Sequence, residues 1–173
     1  MLNKKLLIYI ILFSCIITKT YSQDNMTPPK PVENKVYESM IGTWTSDDKM
    51  MGMPMHQEAN IHWALDHQYI FMEVTAIQKD NPAVKYSGLG IFGIDEKGNC
   101  KSWWFDNWGA AAMSTGSGTF SDNMLTMTDG NALYNESRNF TINGNQLIMH
   151  AKGTMNMNGK DVPFEEIMTY AKK

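Results

Sequence analysis

The feature that most constrains this chain is its punctuation. Between residues 41 and 171, short segments rich in Thr, Ile, Val and aromatic residues are broken by turn-forming clusters. These are Asp80-Asn81-Pro82, Lys97-Gly98-Asn99, Ser121-Asp122-Asn123, Asp129-Gly130-Asn131, Asn143-Gly144-Asn145 and Asn158-Gly159-Lys160. No comparable stretch repeats its apolar residues every 3.6 positions. The spacing predicts about ten strands, over 41–50, 56–65, 68–78, 84–94, 100–108, 113–120, 123–128, 132–142, 145–155 and 161–171, with a helical turn around Glu33–Met40. Loops this short join antiparallel neighbours. One open sheet of that width would leave long unpaired edges, and closure removes them. The expected fold class is therefore all-β: an antiparallel up-and-down barrel. No internal repeat is evident, which argues against a propeller.

Composition narrows the class further. The chain has 173 residues, 43% of them hydrophobic and 19% charged, enough apolar material for one packed domain and too much for a disordered chain. Its net charge is −3, with no basic footprint for nucleic acid.

The first residues read as a processing signal. Lys4 and Lys5 precede the apolar run Leu6–Phe13, which continues through Ile16 and Ile17. The run falls short of the ~20 apolar residues of a membrane span. Thr20-Tyr21-Ser22 offers small residues where a signal peptidase reads, so cleavage is expected before Gln23. A rival reading makes Leu12-Phe13-Ser14-Cys15 a lipobox with Cys15 lipidated; bulky Phe13 and greasy Ile16-Ile17 argue against it. The organisation expected is a signal peptide over 1–22, a Pro-rich tether over 23–37 and a barrel domain over 38–173, secreted or periplasmic. The processed chain keeps 12 basic and 18 acidic residues, a net charge of −6, and only Cys100 of its two cysteines. Packing alone, without a disulfide inside the chain, then holds the fold.

A wider pattern now becomes visible. Gly42-Thr43-Trp44 is followed by Met50-Met51-Gly52-Met53-Pro54, by Gly88-Leu89-Gly90-Ile91-Phe92-Gly93-Ile94-Asp95, by Trp104-Phe105-Asp106 and by Glu166-Ile167-Met168-Thr169-Tyr170-Ala171-Lys172. The opening Gly-x-Trp resembles the signature of lipocalin and fatty-acid-binding barrels. Taken in order over residues 38–172, the set resembles the bacterial family known as domain of unknown function 1579. The resemblance implies a calycin-like barrel and no established activity. Haem-binding barrels similar to nitrobindin place a histidine near the closing strand. Residues Phe164–Tyr170 contain none, so no haem ligand is carried over and no cofactor is expected.

Candidate chemistry centres on Trp103-Trp104-Phe105-Asp106-Asn107-Trp108. On a strand, Trp104, Asp106 and Trp108 share one face and Trp103, Phe105 and Asn107 the other. If the first face looks inward, it gives a cavity two aromatic walls and one acceptor; otherwise one face simply packs the core. Arg138, the chain's single arginine, suits a carboxylate if it faces inward and is a solvated charge beside Glu136 if outward. His150 is the remaining cavity candidate.

Two rival classes stand beside a ligand barrel. Met51, Met53, Met55 and His56 are soft donors suited to Cu(I), with Met155 and Met157 as further sulfurs; alternatively these methionines cover the barrel mouth as adaptable packing. A small enzyme would use Asp106 with His62 or His150 as acid and base. His62, His67 and His150 lack the compact spacing of a zinc site. The reading that best fits is a secreted barrel holding a small, largely apolar molecule at Trp104, Asp106, Trp108, Arg138 and His150. Nucleic acid and a transmembrane segment are not expected, and catalysis is the less favoured reading.

Overall fold

In the computed structural model the described residues are 28–173. The expected signal peptide and cleavage point, Cys15 and the start of the expected tether lie outside the described residues. Asn34 starts helix α1 (Lys35–Met40): its side-chain oxygen accepts the backbone N–H groups of Val36 and Tyr37, both at 3.0 Å. This is N-capping of groups that have no partner inside the helix. Val36, Tyr37 and Met40 are buried. The expected tether boundary at residue 37 therefore falls inside a packed helix, because Val36 and Tyr37 are core residues.

Eleven strands follow: β1 (Gly42–Ser46), β2 (Lys49–Met50), β3 (Met53–Ala64), β4 (Tyr69–Gln78), β5 (Lys85–Ile94), β6 (Cys100–Asp106), β7 (Ser114–Ser121), β8 (Met124–Gly130), β9 (Tyr134–Asn143), β10 (Gln146–Met157) and β11 (Lys160–Lys172). From β3 to β11 each strand pairs antiparallel with the next. β1 closes the ring, with Trp44 in register with Lys172 of β11 on one side and with Ala59 of β3 on the other. The result is a closed, ten-strand, up-and-down barrel, to which β2 adds a two-residue hairpin on β3. The expected first strand over 41–50 is thus two strands. The tight turn after β2 runs through Met51 at φ 52° and Gly52 at φ 76°, the left-handed pair that a two-residue hairpin requires. β3 begins at Met53, so most of the methionine run is strand.

One end of the barrel is solid. Tyr37 and Met40 of α1 are fully buried there with Trp44, Phe92, Cys100, Leu125, Phe140 and Leu147. The Tyr37 ring meets Trp63 and Phe120 edge-on, at centroid distances of 5.9 and 5.2 Å, a favoured geometry for aromatic quadrupoles. Its hydroxyl lies 3.3 Å from both the Gly93 carbonyl oxygen and Cys100 Sγ. Burial pushes the Cys100 thiol up to about 11, so it remains a protonated packing group. Helix α1 plugs this base, so space inside the barrel is left only toward the other end. Among the described residues no helix is long and apolar enough to cross a membrane.

Candidate functional site

Toward the end away from α1 the barrel is hollow. A cavity of about 150 Å³ lies among β3–β6 and β9–β11, a volume of the size that accepts a single aromatic ring. Alternation along each strand explains the change from solid to hollow. On β9, Ile142 and Phe140 pack the base, while Arg138, Glu136 and Tyr134 line the cavity. On β10, Leu147 is base, and Met149, Ala151 and Met155 are cavity wall. β11 contributes Phe164, Glu166, Met168 and Tyr170, and β4 contributes Met72 and Val74.

The aromatic wall is set by glycines. Gly88 and Gly90 of β5 stand opposite Asp106 and Trp104 of β6. A Cβ at Gly88 would come within 2.5 Å of Trp104 Cζ2, and one at Gly90 within 2.8 Å of Trp104 Cζ3. Only glycine leaves room for the indole across this pair of strands. Trp104 Nε1 donates to Tyr86 Oη at 2.8 Å, and the Tyr86 ring meets Trp108 edge-on at 6.0 Å. Burial raises the Tyr86 phenol, keeping it protonated. Trp104 and Asp106 reach the cavity by strand alternation, whereas Trp108 lies beyond the end of β6. Its backbone N–H donates to Asp106 Oδ1 at 2.9 Å in the following turn, and the residue is 58% exposed at the mouth.

A charged cluster fills the polar side. Arg138 Nη2 donates to Glu136 Oε1, and the guanidinium carbon lies 5.6 Å from the Trp104 ring centroid and 5.8 Å from that of Phe140. Burial works against the charged guanidinium, but the pull of Glu136 and then Asp129 outweighs it, so Arg138 is held more firmly protonated than usual. Burial raises the Glu136 carboxyl in spite of Arg138. Asp129, expected in a turn, is instead a buried, inward-facing residue of β8, directly opposite Glu136. Its Oδ1 accepts from Ser102 Oγ at 2.8 Å, and Gly116 leaves it space: a Cβ there would come within 2.0 Å of that oxygen. At the mouth, Glu166 Oε1 accepts the backbone N–H of Met51 and so draws the β2–β3 turn against β11.

The expected cavity set is thus only partly assembled. Trp104, Asp106, Trp108 and Arg138 surround one cavity; His150 does not. Its neighbours Met149 and Ala151 point inward, so His150 points outward, where Nε2 lies 2.8 Å from Glu165 Oε1. Nor do the soft donors converge. Met51 sits at the mouth, Met55 is buried inside the barrel at 1% exposure, and His56 faces outward with Nδ1 3.1 Å from Asp47 Oδ1. Met53 pairs across the turn with Met50. Successive residues of a strand face opposite sides, which separates Met55 from His56. His62 also faces outward, against Phe71 at 5.9 Å, and His67 stacks on Trp63 at 4.8 Å. Neither His62 nor His150 shares a face with Asp106, so the proposed acid–base pairs are not formed. Among the described residues no group of three or more His, Cys, Asp or Glu side chains is arranged to hold a metal.

Sequence reasoning missed Tyr86, Glu136, Glu166 and the methionine wall of Met72, Met149 and Met168. The period-two glycines Gly88 and Gly90 were the available signal for a bulky neighbour. No family model matches the chain, and no curated protein matches it.

Proposed function

We propose that this barrel is a binding protein for a small, largely apolar molecule, held in the cavity at the end away from α1. The observation that carries the reading is the contrast between the two ends. One is packed solid around Trp44 and Tyr37, while the other keeps about 150 Å³ of space behind methionine and aromatic walls. Close packing is the norm for protein interiors, and glycines at 88 and 90 fix the indole at one side of that space. Thioether side chains suit such a wall because they adapt to different apolar shapes. We propose further that the chain is exported after cleavage before Gln23, and that residues 38–172 belong with the family of domain of unknown function 1579. The residues quoted above support both.

A fluorescence titration tests the binding reading. An apolar fluorescent probe is expected to bind saturably and to quench tryptophan emission. Its affinity comes mainly from buried apolar area, at ~25 cal/mol per Å² before ordering costs. Trp104→Ala should weaken binding about tenfold, equivalent to ~1.4 kcal/mol. Trp103→Ala, on the outer face of the same strand, should leave affinity within about twofold. No saturable binding by a chain shown to be folded by circular dichroism would mean that the cavity takes no ligand.

A further inference from the structure

The cavity has a charge balance opposite to that of a fatty-acid pocket. Asp106, Glu136 and Glu166 line it, and Arg138 is the single basic residue on its wall. That guanidinium is paired with Glu136 through Nη2 and lies over Trp104, while its buried Nε has no hydrogen-bond partner among the described residues. Glu136 and Arg138 offset each other, which leaves Asp106 and Glu166 uncompensated at the mouth. Behind the cavity wall the buried charge has the same sign. Asp129, 7% exposed and facing the barrel interior directly across from Glu136, keeps Oδ2 without a hydrogen-bond partner among the described residues. A carboxylate ligand entering here would meet three carboxylates and one guanidinium already paired with Glu136, and like charges brought into a partly dry site repel.

The walls suit the opposite sign. Tyr86 and Trp108 present aromatic rings beside Asp106, and Trp104 already accommodates one cation, the Arg138 guanidinium at 5.6 Å. Aromatic rings next to carboxylates are a recurring environment for organic cations, because the ring quadrupole and the acid attract the same charge. Both mouth carboxylates are fixed in place. Asp106 accepts from the Trp108 backbone and Glu166 from that of Met51, so binding does not have to order them.

We infer that the cavity selects a small organic cation: a protonated amine carrying an apolar body about one ring in size, its ammonium between Asp106 and Glu166. This deepens the ligand-binding reading above and rests on it.

The test uses three ligands of nearly equal shape, benzylamine, benzyl alcohol and benzoate, titrated calorimetrically into the folded chain at pH 7 and low salt. Benzylamine is expected to bind at least tenfold more tightly than benzyl alcohol, and benzoate at least tenfold more weakly. In the double variant Asp106→Asn, Glu166→Gln the amine-to-alcohol ratio should collapse toward one, whatever the absolute affinities. Glu165→Gln, on the outer face of β11, should leave the ratio unchanged. Benzyl alcohol binding as well as or better than the amine, or benzoate binding best, would overturn the cation inference while leaving a ligand cavity standing. An amine preference that survives in the double variant would overturn the assignment to Asp106 and Glu166. If none of the three binds to folded protein, the cavity reading itself fails.

Discussion

Trp44→Ala is expected to destabilise the protein by about 3–5 kcal/mol, the range for truncating a large, fully buried aromatic. Three features place it there. Trp44 is 0% exposed, its Nε1 donates to the Met40 carbonyl oxygen at 2.8 Å, and Lys172 Nζ lies 5.0 Å from its ring centroid. The residue therefore ties helix α1 to the closing strand and touches the chain's last strand as well. β1 is the strand that joins β3 to β11, and its register with β11 is short. Losing the indole removes packing from the seam that closes the barrel. Urea denaturation measures this directly, as a lowered midpoint with an unchanged slope. A variant that unfolds at the wild-type midpoint would contradict both the packing of the base and the role of β1 in closure.

The second large effect concerns charge. Arg138→Met keeps an unbranched apolar stem of similar reach but removes the guanidinium, leaving Glu136 and Asp129 buried and directly opposed. Removing one partner from a buried ion pair typically costs about 3–5 kcal/mol. The pH dependence separates this loss from simple loss of packing. Burial already holds the Glu136 carboxyl above the ordinary glutamate value of 4.5, and Arg138 restrains that rise. In the variant the rise is larger, so the folded state keeps a proton that the unfolded chain has released. Stability then falls as pH increases from the ordinary glutamate value through the raised one. The deficit relative to wild type should be smallest in acid and reach its full size above the raised value. Adding Glu136→Gln should recover part of it. A deficit of the same size at every pH would assign the effect to packing rather than to charge.

Much of the barrel was legible in local sequence because turn chemistry is local. Asn143-Gly144-Asn145 and Asn158-Gly159-Lys160 mark hairpins where they stand, with Gly144 and Gly159 at φ 58° and 79°. The face on which a residue lies was legible only where apolar neighbours of equal parity were weighed with it. Trp104 and Asp106 point inward, and so does Arg138, whose orientation Phe140 and Ile142 of the same parity fix. His150 is excluded by the same rule, through Leu147, Met149 and Ala151. The Asp-Gly-Asn run at 129–131 looked like a turn because its composition is that of turns. Tertiary pairing overrides this: Asp129 and Gly130 pair with Glu136 and Asn135 of β9, and the chain reverses later, at Asn131–Leu133. What no local pattern carries is which strands share a wall. Tyr86 meets Trp104 across the β5–β6 hairpin, but Glu166 and Met168 of β11 join them only once closure fixes the register of all ten strands.

The central claim is that the end of the barrel away from α1 holds a ligand. Methyl-labelled methionine NMR tests it most directly, because methionines report from both ends of the same interior. On titration with benzylamine, the methyl signals of Met72, Met149 and Met168, which line the cavity, should shift with one common saturation curve. Those of Met40 and Met127, buried but absent from the cavity wall, should stay in place. Shifts confined to exposed Met113 and Met157, or no saturable shift at any methionine, would contradict the account.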